Sequence, residues 1–490
     1  MGIIARQTVQ SNLFIYLGVI IGFLNSGILL PMFFSPEEKG LLDYMNSISA
    51  IFSSIFAVGI PLVLIKLYPK YRQSRVRGAF ISRVKLFTLF GIIAGSASFL
   101  GYFYLFSDNQ TELEYMSYFP LLVCVIIVFR ILFRAGDAYM RMNLRSVIGA
   151  FLENFVLKGL ILSLLGLSLL GLMFDKISLF YGIVLCVPGI WLLIVLFLFK
   201  PKASETDDSE VSELDTSEFN GVALFGILGS VGGIFVMLLD QIMVKEMISV
   251  SANGIYTFGF YLGMFVSIPG RGLKRIAAAI ISESWSKNDL GNIRLVYSKS
   301  VLNQSIIALY FFLGIWFCSD YLFTFLKPEY AAAKNVLLFI GVAQLIDMAT
   351  GVNFEVIASS EKYRYNTYFL VLLIILVIGL NLVLIPEYQL EGAALASLVA
   401  MFIVNTTRYF FLWRVYGFQP FNSRVLYLII IAGGVFAVLW LLPSLDNPYL
   451  GIFMNGLILT ILFWGSVLGL RLSKEMNDLF RTALKRIGVK

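Results

Sequence analysis

The sequence predicts an all-α polytopic membrane protein of about fourteen transmembrane helices, with two six-helix lobes related as a parallel pseudo-repeat and two further C-terminal helices. Composition is the first reason: 59% of the 490 residues are apolar and 14% are charged, against about 45–50% and about 25% in soluble domains. Apolar segments of about 20 residues, the length that crosses a bilayer, recur along the chain. Basic residues collect in alternate loops. Lipid must therefore be the solvent for much of the apolar surface.

Fourteen segments qualify as spans. They are 13–34, 41–65, 86–106, 116–136, 147–173, 177–199, 219–244, 254–282, 301–318, 333–352, 367–385, 392–413, 425–442 and 451–470. The first follows Arg6 and is too long for a cleavable signal-peptide core, so we expect it to stay in the membrane. The predicted parts are an N-lobe (1–199), an acidic linker (200–218), a C-lobe (219–413), spans 13 and 14 (414–470) and a basic, amphipathic tail (471–490).

The distribution of lysine and arginine tests this count of spans. We assume that the N-terminus is cytoplasmic and that every segment crosses the membrane. Segments on the cytoplasmic side, called inside, then hold 31 of the 37 basic residues, and segments on the other side, called outside, hold five. Lys158 lies within a span. The outside five are Lys39, Lys176, Lys245, Lys327 and Lys334. We therefore expect both termini on the cytoplasmic side. All outside loops are short, so the function is expected to reside within the membrane.

The histidine and cysteine content excludes metal sites and disulfide frameworks. The chain has no histidine, and its three cysteines (Cys124, Cys186 and Cys318) each stand alone in an apolar run. We therefore predict no metal site, no cofactor and no disulfide framework.

The linker carries seven acidic residues in 205–218 and almost no apolar ones, which is typical of a flexible, solvated strap.

The two sides of the linker are weakly alike. Gly40 in span 2 aligns with Gly254 in span 8 at an offset of 214, and Pro61 aligns with Pro269 at an offset of 208. The two offsets disagree by six, so the repeat is faint. Six plus six spans as two repeats is a known transporter plan.

Ionisable residues inside spans are costly in lipid and usually face a cavity or a partner. Arg271, Lys274 and Arg275 lie inside the apolar run of span 8, within a sector of about 100° on a helix. Pro269 is expected to break the helix just before them. One interpretation is a phosphate or pyrophosphate site beside a broken helix. The other is that the span ends at Pro269 and an amphipathic cytoplasmic helix follows.

A second set of charges leads out of span 4. Arg130, Arg134, Asp137, Arg141 and Arg145 would project within about 80° of one another on a continuous helix. One interpretation of this stripe is an electropositive entry path for an anionic lipid headgroup. The other is a solvated helix face that binds anionic lipid without specificity.

Lys158 is the deepest basic residue, about eleven residues into span 5 and so about 16 Å from its end. Glu153 is the nearest acid in sequence, but the i,i+5 spacing turns it about 140° away on an α-helix. We expect both to face a polar cavity. A salt bridge from Lys158 to another span is the structural alternative.

Two carboxylates are placed near the outer face. Asp240 lies about one turn inside span 7, and Asp43 lies at the start of span 2. Either could bind a coupling cation or gate the exit, and helix capping is equally consistent for Asp43. Asp347 and Arg408 are weaker candidates near the inner face.

Four stretches carry a resemblance to a known family. They are PMFFSPEEKGLLDYMNSISAI, LLDQIMVKEMISVSANGIYTFGF, LKPEYAAAKNVLLFIGVAQL and GLNLVLIPEYQLEGAALASLVA. In this order the chain resembles the multidrug/oligosaccharidyl-lipid/polysaccharide (MOP) exporter superfamily, specifically the polysaccharide-biosynthesis, Wzx-type O-antigen flippases.

The resemblance implies two six-helix lobes around a cavity open alternately to each side. It implies transport of an undecaprenyl-pyrophosphate-linked oligosaccharide across the bacterial inner membrane for polysaccharide or lipopolysaccharide synthesis, without enzymatic chemistry. Basic residues line the cavity in such flippases, and Arg271, Lys274, Arg275 and Lys158 are counterparts by position. Membrane lipids and H⁺ or Na⁺ are the other implied partners.

Three other functions stay open at this stage. A drug exporter of the same fold should have an acidic cavity, whereas the deep charges here are mostly basic. A lipid II flippase fits the composition equally well. A membrane glycosyltransferase or polymerase usually needs a loop domain or a carboxylate and histidine constellation, which this sequence lacks.

Overall fold

The computed structural model describes residues 3–72, 74–106, 118–143, 145–170, 177–198 and 214–486, and every regular element among them is a helix. The α-helices are α1 Ile3–Phe23, α2 Leu30–Phe33, α3 Pro36–Phe56, α4 Ile60–Tyr71, α5 Arg77–Phe106, α6 Phe119–Met142, α7 Ser146–Ala150, α8 Leu157–Leu169, α9 Ile177–Leu198, α10 Thr216–Met247, α11 Val250–Met264, α12 Gly270–Ser286, α13 Leu290–Phe323, α14 Ala333–Ala349, α15 Asn353–Ala358, α16 Tyr365–Tyr416, α17 Ser423–Leu441, α18 Pro448–Gly469 and α19 Lys474–Arg486. Leu24–Leu29 and Phe151–Val156 are π-helical, and Phe265–Ser267 and Pro328–Ala332 are 3₁₀ turns.

Length and hydropathy make this a multi-pass membrane protein. In the described ranges, ten helices can cross a membrane, or eleven if the bent pair α3 and α4 is one span. The 52-residue α16 covers two predicted spans, because its backbone breaks at Gln389, where φ is 53°. α11 and α12 together cover predicted span 8, and at 15 and 17 residues each is shorter than a spanning helix. Fourteen therefore stays a prediction, while the all-helical polytopic fold is confirmed.

Residue contacts divide the chain into two compact units, Met1–Gly254 and Ile255–Lys490. The helix that follows the predicted linker, α10, packs on α3 and α4 and so belongs to the first unit. Residues 200–213 of that linker lie outside the described residues. Its end is anchored: Asp215 caps α10 by accepting from the Glu218 amide at 2.9 Å, and Lys70 contacts Glu218 at 2.6 Å. The lobe boundary at the linker remains a prediction.

Aromatic side chains fill the core of the first unit. Tyr44 stacks on Phe119 in a large cluster that also holds Phe99. A second cluster joins Tyr71 of α4 to Phe219 of α10. These large buried rings fix the helices that carry the polar residues described below.

The second unit has a separate apolar core where α13, α17, α18 and α19 meet. Ile306, Leu428 and Phe463 are fully buried there. They pack with Leu472, just before the C-terminal helix, and with Met476 in its first turn. The predicted amphipathic tail therefore forms a helix that is packed against the spans on one side.

A bend separates α3 from α4 and shapes one wall of the first unit. The two helices meet at 40°, across Val58 and Gly59, both of which have positive φ. A Cβ on Gly59 would lie 2.0 Å from the Ala223 carbonyl oxygen. Glycine therefore serves two needs here, a left-handed backbone and close approach to α10.

The two glycines that anchored the faint repeat touch each other. A Cβ on Gly40 would lie 1.9 Å from the Val250 oxygen and 2.8 Å from the Gly254 nitrogen. A Cβ on Gly254 would lie 1.8 Å from the Pro36 oxygen. The absence of side chains at both positions lets α3 and α11 cross backbone to backbone.

Candidate functional site

A polar cavity of about 540 Å³ lies within the first unit. Its walls come from α3, α4, α6, the π-helical stretch Phe151–Val156, the start of α8, and α9. The lining includes the basic residues Arg130, Arg134, Arg141 and Lys158 and the acids Asp137 and Glu153. Four cations thus face two carboxylates, and the cavity carries an excess of positive charge.

Arg130 is held in place by one residue of α3. Its Nη1 donates to the Asn46 carbonyl oxygen at 3.2 Å, and its Nη2 donates to Asn46 Oδ1 at 2.6 Å. This two-point contact fixes the plane of the guanidinium while consuming few of its five donors. Arg130 is therefore both ordered and able to donate into the cavity.

The two other arginines of α6 that line the cavity, Arg134 and Arg141, differ in their partners. Arg141 forms an ion pair with Asp137, which is 6% exposed. Among the described residues, no hydrogen bond or ion pair ties down Arg134. The continuous helix predicted through Arg145 is wrong, because α6 ends at Met142 and Arg145 precedes α7.

Glu153 and Lys158 both line the cavity, although their spacing directs them apart on an α-helix. The reason is the π-helical stretch Phe151–Val156, which contains Glu153 and ends two residues before Lys158. A π-turn bonds residue i to i+5 and rotates less per residue, so residues five apart come onto one side. The expectation that both face a polar cavity is confirmed.

Lys158 is seated against α1. A Cβ on Gly22 would lie 3.2 Å from Lys158 Nζ, so glycine leaves room for the lysine side chain. Asn25 Nδ2 donates to the Lys158 carbonyl at 2.9 Å, and Asn25 lies in the other π-helical stretch, Leu24–Leu29. Both helices are distorted where they meet, a feature that recurs at functional sites.

A second group of charges is buried between α3 and α10. Lys39, Asp43, Asp240 and Lys245 are each at most 2% exposed. Lys39 forms an ion pair with Asp43, one turn along the same helix. Lys39 and Lys245 lie in helices α3 and α10 and not in loops, and tertiary packing covers both side chains. The side of the membrane on which they lie stays a prediction.

Lys245 belongs to a network around one carboxylate. Glu246 accepts hydrogen bonds from Tyr44 at 2.9 Å and Tyr102 at 2.7 Å, and contacts Lys245 Nζ at 3.1 Å. Lys245 Nζ also lies 4.8 Å from the centre of the Tyr44 ring. Each buried charge therefore has partners, as low-dielectric surroundings require.

The second unit holds the basic residues that follow Pro269. The predicted helix break is confirmed, since α12 begins at Gly270. Arg271 and Arg275 are exposed on this helix. Lys274 instead donates to Asp347 Oδ2 at 2.6 Å.

Two further charges lie beside that pair. Arg408 is 9% exposed, and its guanidinium lies 5.4 Å from the centre of the Phe354 ring. Glu355 and Arg408 both act electrostatically on Lys274. Burial raises the pKa of the Glu355 carboxyl, and the nearby Lys274 opposes that shift. The weaker candidates Asp347 and Arg408 thus join one partly buried cluster.

Sequence reasoning missed Asn46 and Asn25. Both are amides inside apolar spans, and a polar residue in such a span is the one signal that could have indicated them. Their partners, Arg130 and Lys158, are 84 and 133 residues distant, which periodicity cannot reveal.

No protein-family model matches the sequence. The uncharacterized membrane protein MJ1068 of Methanocaldococcus jannaschii is 21% identical over 165 residues. That match covers 33% of this chain and 32% of the relative. The chain therefore matches about a third of the length of this curated relative.

Solved structures resemble nearly the whole chain. The lipid II flippase MurJ in its inward closed conformation gives a TM-score of 0.66 at 13% identity, over 94% of this chain and 98% of the MurJ chain. This chain has the fold of MurJ. An inward-facing multidrug resistance MATE family transporter of the MOP superfamily gives 0.54 at 11% identity, over 80% and 93% of the two chains. An outward-facing one gives 0.51 at 9% identity, over 83% and 94%. The cationic cavity thus lies in a fold that MurJ and the MATE transporters also have.

Proposed function

We propose that the protein is a flippase that moves an undecaprenyl-pyrophosphate-linked oligosaccharide from the inner to the outer leaflet of the bacterial inner membrane. It works by alternating access and makes or breaks no covalent bond. The transported lipid serves the synthesis of a surface polysaccharide such as O-antigen or capsule.

The cationic cavity of the first unit is the observation that carries this proposal. Arg130, Arg134 and Lys158 converge on it, and it has an excess of positive charge. Guanidinium and ammonium donors suit phosphate oxygens, and they act more strongly away from bulk water. A pyrophosphate seated here would compensate the unbalanced cations.

The size of the cavity fits a headgroup rather than a whole lipid. About 540 Å³ lies in the usual range for pockets that bind small ligands. The pyrophosphate and adjoining sugars would occupy this space, and the long isoprenoid chain would stay in the bilayer. Two structural neighbours support a transport function, because MurJ is a lipid II flippase and the MATE proteins are transporters.

The other predicted residues enter the proposal with distinct roles. Arg271 and Arg275, exposed on α12, would gather the anionic headgroup on the cytoplasmic side. Coupling to H⁺ or Na⁺ would use the buried carboxylates Asp240 or Asp43. Collapsing the proton and sodium gradients one at a time in proteoliposomes tests the coupling separately from the substrate.

The decisive experiment uses a strain that lacks the gene. A reagent that cannot cross the membrane reports which leaflet holds the intact lipid-linked oligosaccharide. We expect the oligosaccharide to be trapped on the cytoplasmic side and to appear outside after complementation. Normal outward exposure in the deletion strain would contradict the proposed substrate. Trapped lipid II in its place would identify the protein as a lipid II flippase.

A further inference from the structure

A second polar pocket, separate from the cationic cavity, lies in the second unit beside the C-terminal helix. Its volume is about 450 Å³, and Lys299, Arg424 and Lys474 line it together with a single acid, Glu475. These residues come from α13, α17 and α19. We call this site the C-terminal pocket.

Hydrogen bonds hold the walls of the C-terminal pocket. Ser473 is fully buried, donates to Asn303 Oδ1 at 2.6 Å, and accepts from the Met476 amide at 3.2 Å. Glu475 contacts Lys299 Nζ at 2.7 Å. The apolar core beneath, which includes Leu472, fixes the start of α19 against the spans. The pocket is therefore built by packed elements and not by a loose tail.

The charge inside the pocket is unbalanced. Lys299 is the cation that pairs with Glu475. Within the part of the chain that the structure describes, the Arg424 guanidinium makes one long hydrogen bond, to the Leu472 carbonyl at 3.5 Å. Among the described residues, Lys474 takes part in no ion pair. Two positive charges thus face the pocket without an acid, next to the N-terminal end of α17, whose dipole also favours an anion.

The predicted spans place the pocket at the membrane surface. Lys299 comes two residues before predicted span 301–318, Arg424 one residue before span 425–442, and Lys474 four residues after span 451–470. At 1.5 Å per helical residue, Lys299 and Arg424 lie within about 3 Å of the predicted hydrocarbon edge. The headgroup layer is about 5–7 Å thick on each side of the bilayer. Lipid phosphates therefore lie at the level of the pocket.

We propose that the C-terminal pocket binds the phosphate of an anionic phospholipid headgroup on the predicted cytoplasmic side. Basic pockets between spans at this level are a known way of holding anionic headgroups. The amphipathic α19, with Phe480 47% exposed, lies as an interfacial helix beside it. Bound lipid would fasten the C-terminal helix to the membrane surface. This site is independent of the proposed transport substrate.

The test is a lipid titration of the full-length protein in neutral detergent, followed by native mass spectrometry. Phosphatidylglycerol is the anionic probe, phosphatidylcholine the neutral probe, and inorganic phosphate the soluble competitor. Each basic side chain near a membrane surface contributes about fivefold in affinity, so Arg424→Gln with Lys474→Gln should weaken the tightest phosphatidylglycerol site about 25-fold. The charge-conserving pair Arg424→Lys with Lys474→Arg should keep the binding and shows that the fold survives.

A matched control removes two exposed charges of the same unit, Arg294→Gln with Lys362→Gln, and should leave the tightest site unchanged. An equal loss in this control, or full binding by the Arg424 and Lys474 double variant, would overturn the proposal. Equal binding of phosphatidylcholine would also overturn it. A further outcome is that inorganic phosphate binds in a manner that depends on Arg424 while the protein shows no preference for phosphatidylglycerol. That result would show that the ligand is a soluble phosphate and would overturn the proposal of a lipid headgroup.

Discussion

Replacing Gly40 by alanine tests the backbone crossing of α3 and α11. The new Cβ would lie 1.9 Å from the Val250 carbonyl oxygen and 2.8 Å from the Gly254 nitrogen. Both neighbours are backbone atoms, so no side chain can rotate away to make room. The two helices would have to separate by more than an ångström at this point.

The size of the effect follows from two opposing contributions. Alanine in place of glycine inside a helix is favourable by about 1 kcal/mol. Overpacking costs about 1–3 kcal/mol and occasionally more, and a clash between two backbones belongs at the upper end. We expect Gly40→Ala to destabilise the protein by about 2 kcal/mol. Gly379→Ala is the matched control, because a Cβ there meets nothing within 4 Å, and it should stabilise by up to about 1 kcal/mol.

Reversible unfolding of the full-length protein in mixed micelles measures both variants. The expected order of stability is Gly379→Ala, then the unchanged protein, then Gly40→Ala. A Gly40→Ala variant as stable as Gly379→Ala would refute the close crossing, and with it the contact between the two glycines of the faint repeat.

Two further predictions concern buried charges. Lys39→Met removes the lysine that pairs with the buried Asp43 and should cost about 3–5 kcal/mol, whereas Lys39→Met with Asp43→Leu should recover most of the loss. Unfolding in mixed micelles measures both, and an equally unstable double variant would argue against the pair. Burial raises the pKa of the Glu355 carboxyl above its ordinary value of 4.5. The unchanged protein should therefore lose stability as the pH rises from the pKa of Glu355 in the unfolded chain through its pKa in the folded protein. Glu355→Gln should not show this loss of stability with pH. Thermal midpoints of the two proteins between about pH 4 and about pH 7 test this, and a constant difference across that range would contradict it.

Composition and hydropathy were sufficient to predict the fold class, because lipid-facing helices need long apolar runs that few other structures tolerate. The helix break before Gly270 was predictable for a local reason, since proline and glycine together stop a helix. Helical periodicity also brought Arg130 and Arg134 correctly onto one side of α6, where both line the cavity.

Features that depend on tertiary structure could not be predicted in this way. The π-helical stretch that aligns Glu153 with Lys158 has no signature in the sequence. The rule for loop charges counts sequence position alone, so it cannot show that packing buries Lys39. The pair between Lys274 and Asp347 joins residues 73 apart and needs the folded second unit.

We propose that the cations of the first-unit cavity hold the pyrophosphate of the transported lipid. Proteoliposomes loaded with purified undecaprenyl-pyrophosphate oligosaccharide allow its movement between leaflets to be measured directly. Each charge-assisted hydrogen bond contributes about 1.5–3 kcal/mol, so Lys158→Met and Arg134→Gln should each slow transport about 10- to 100-fold. Lys66→Met, which removes an exposed lysine from the same unit, should not. Transport at the unchanged rate by both cavity variants, reconstituted at equal density, would contradict the claim.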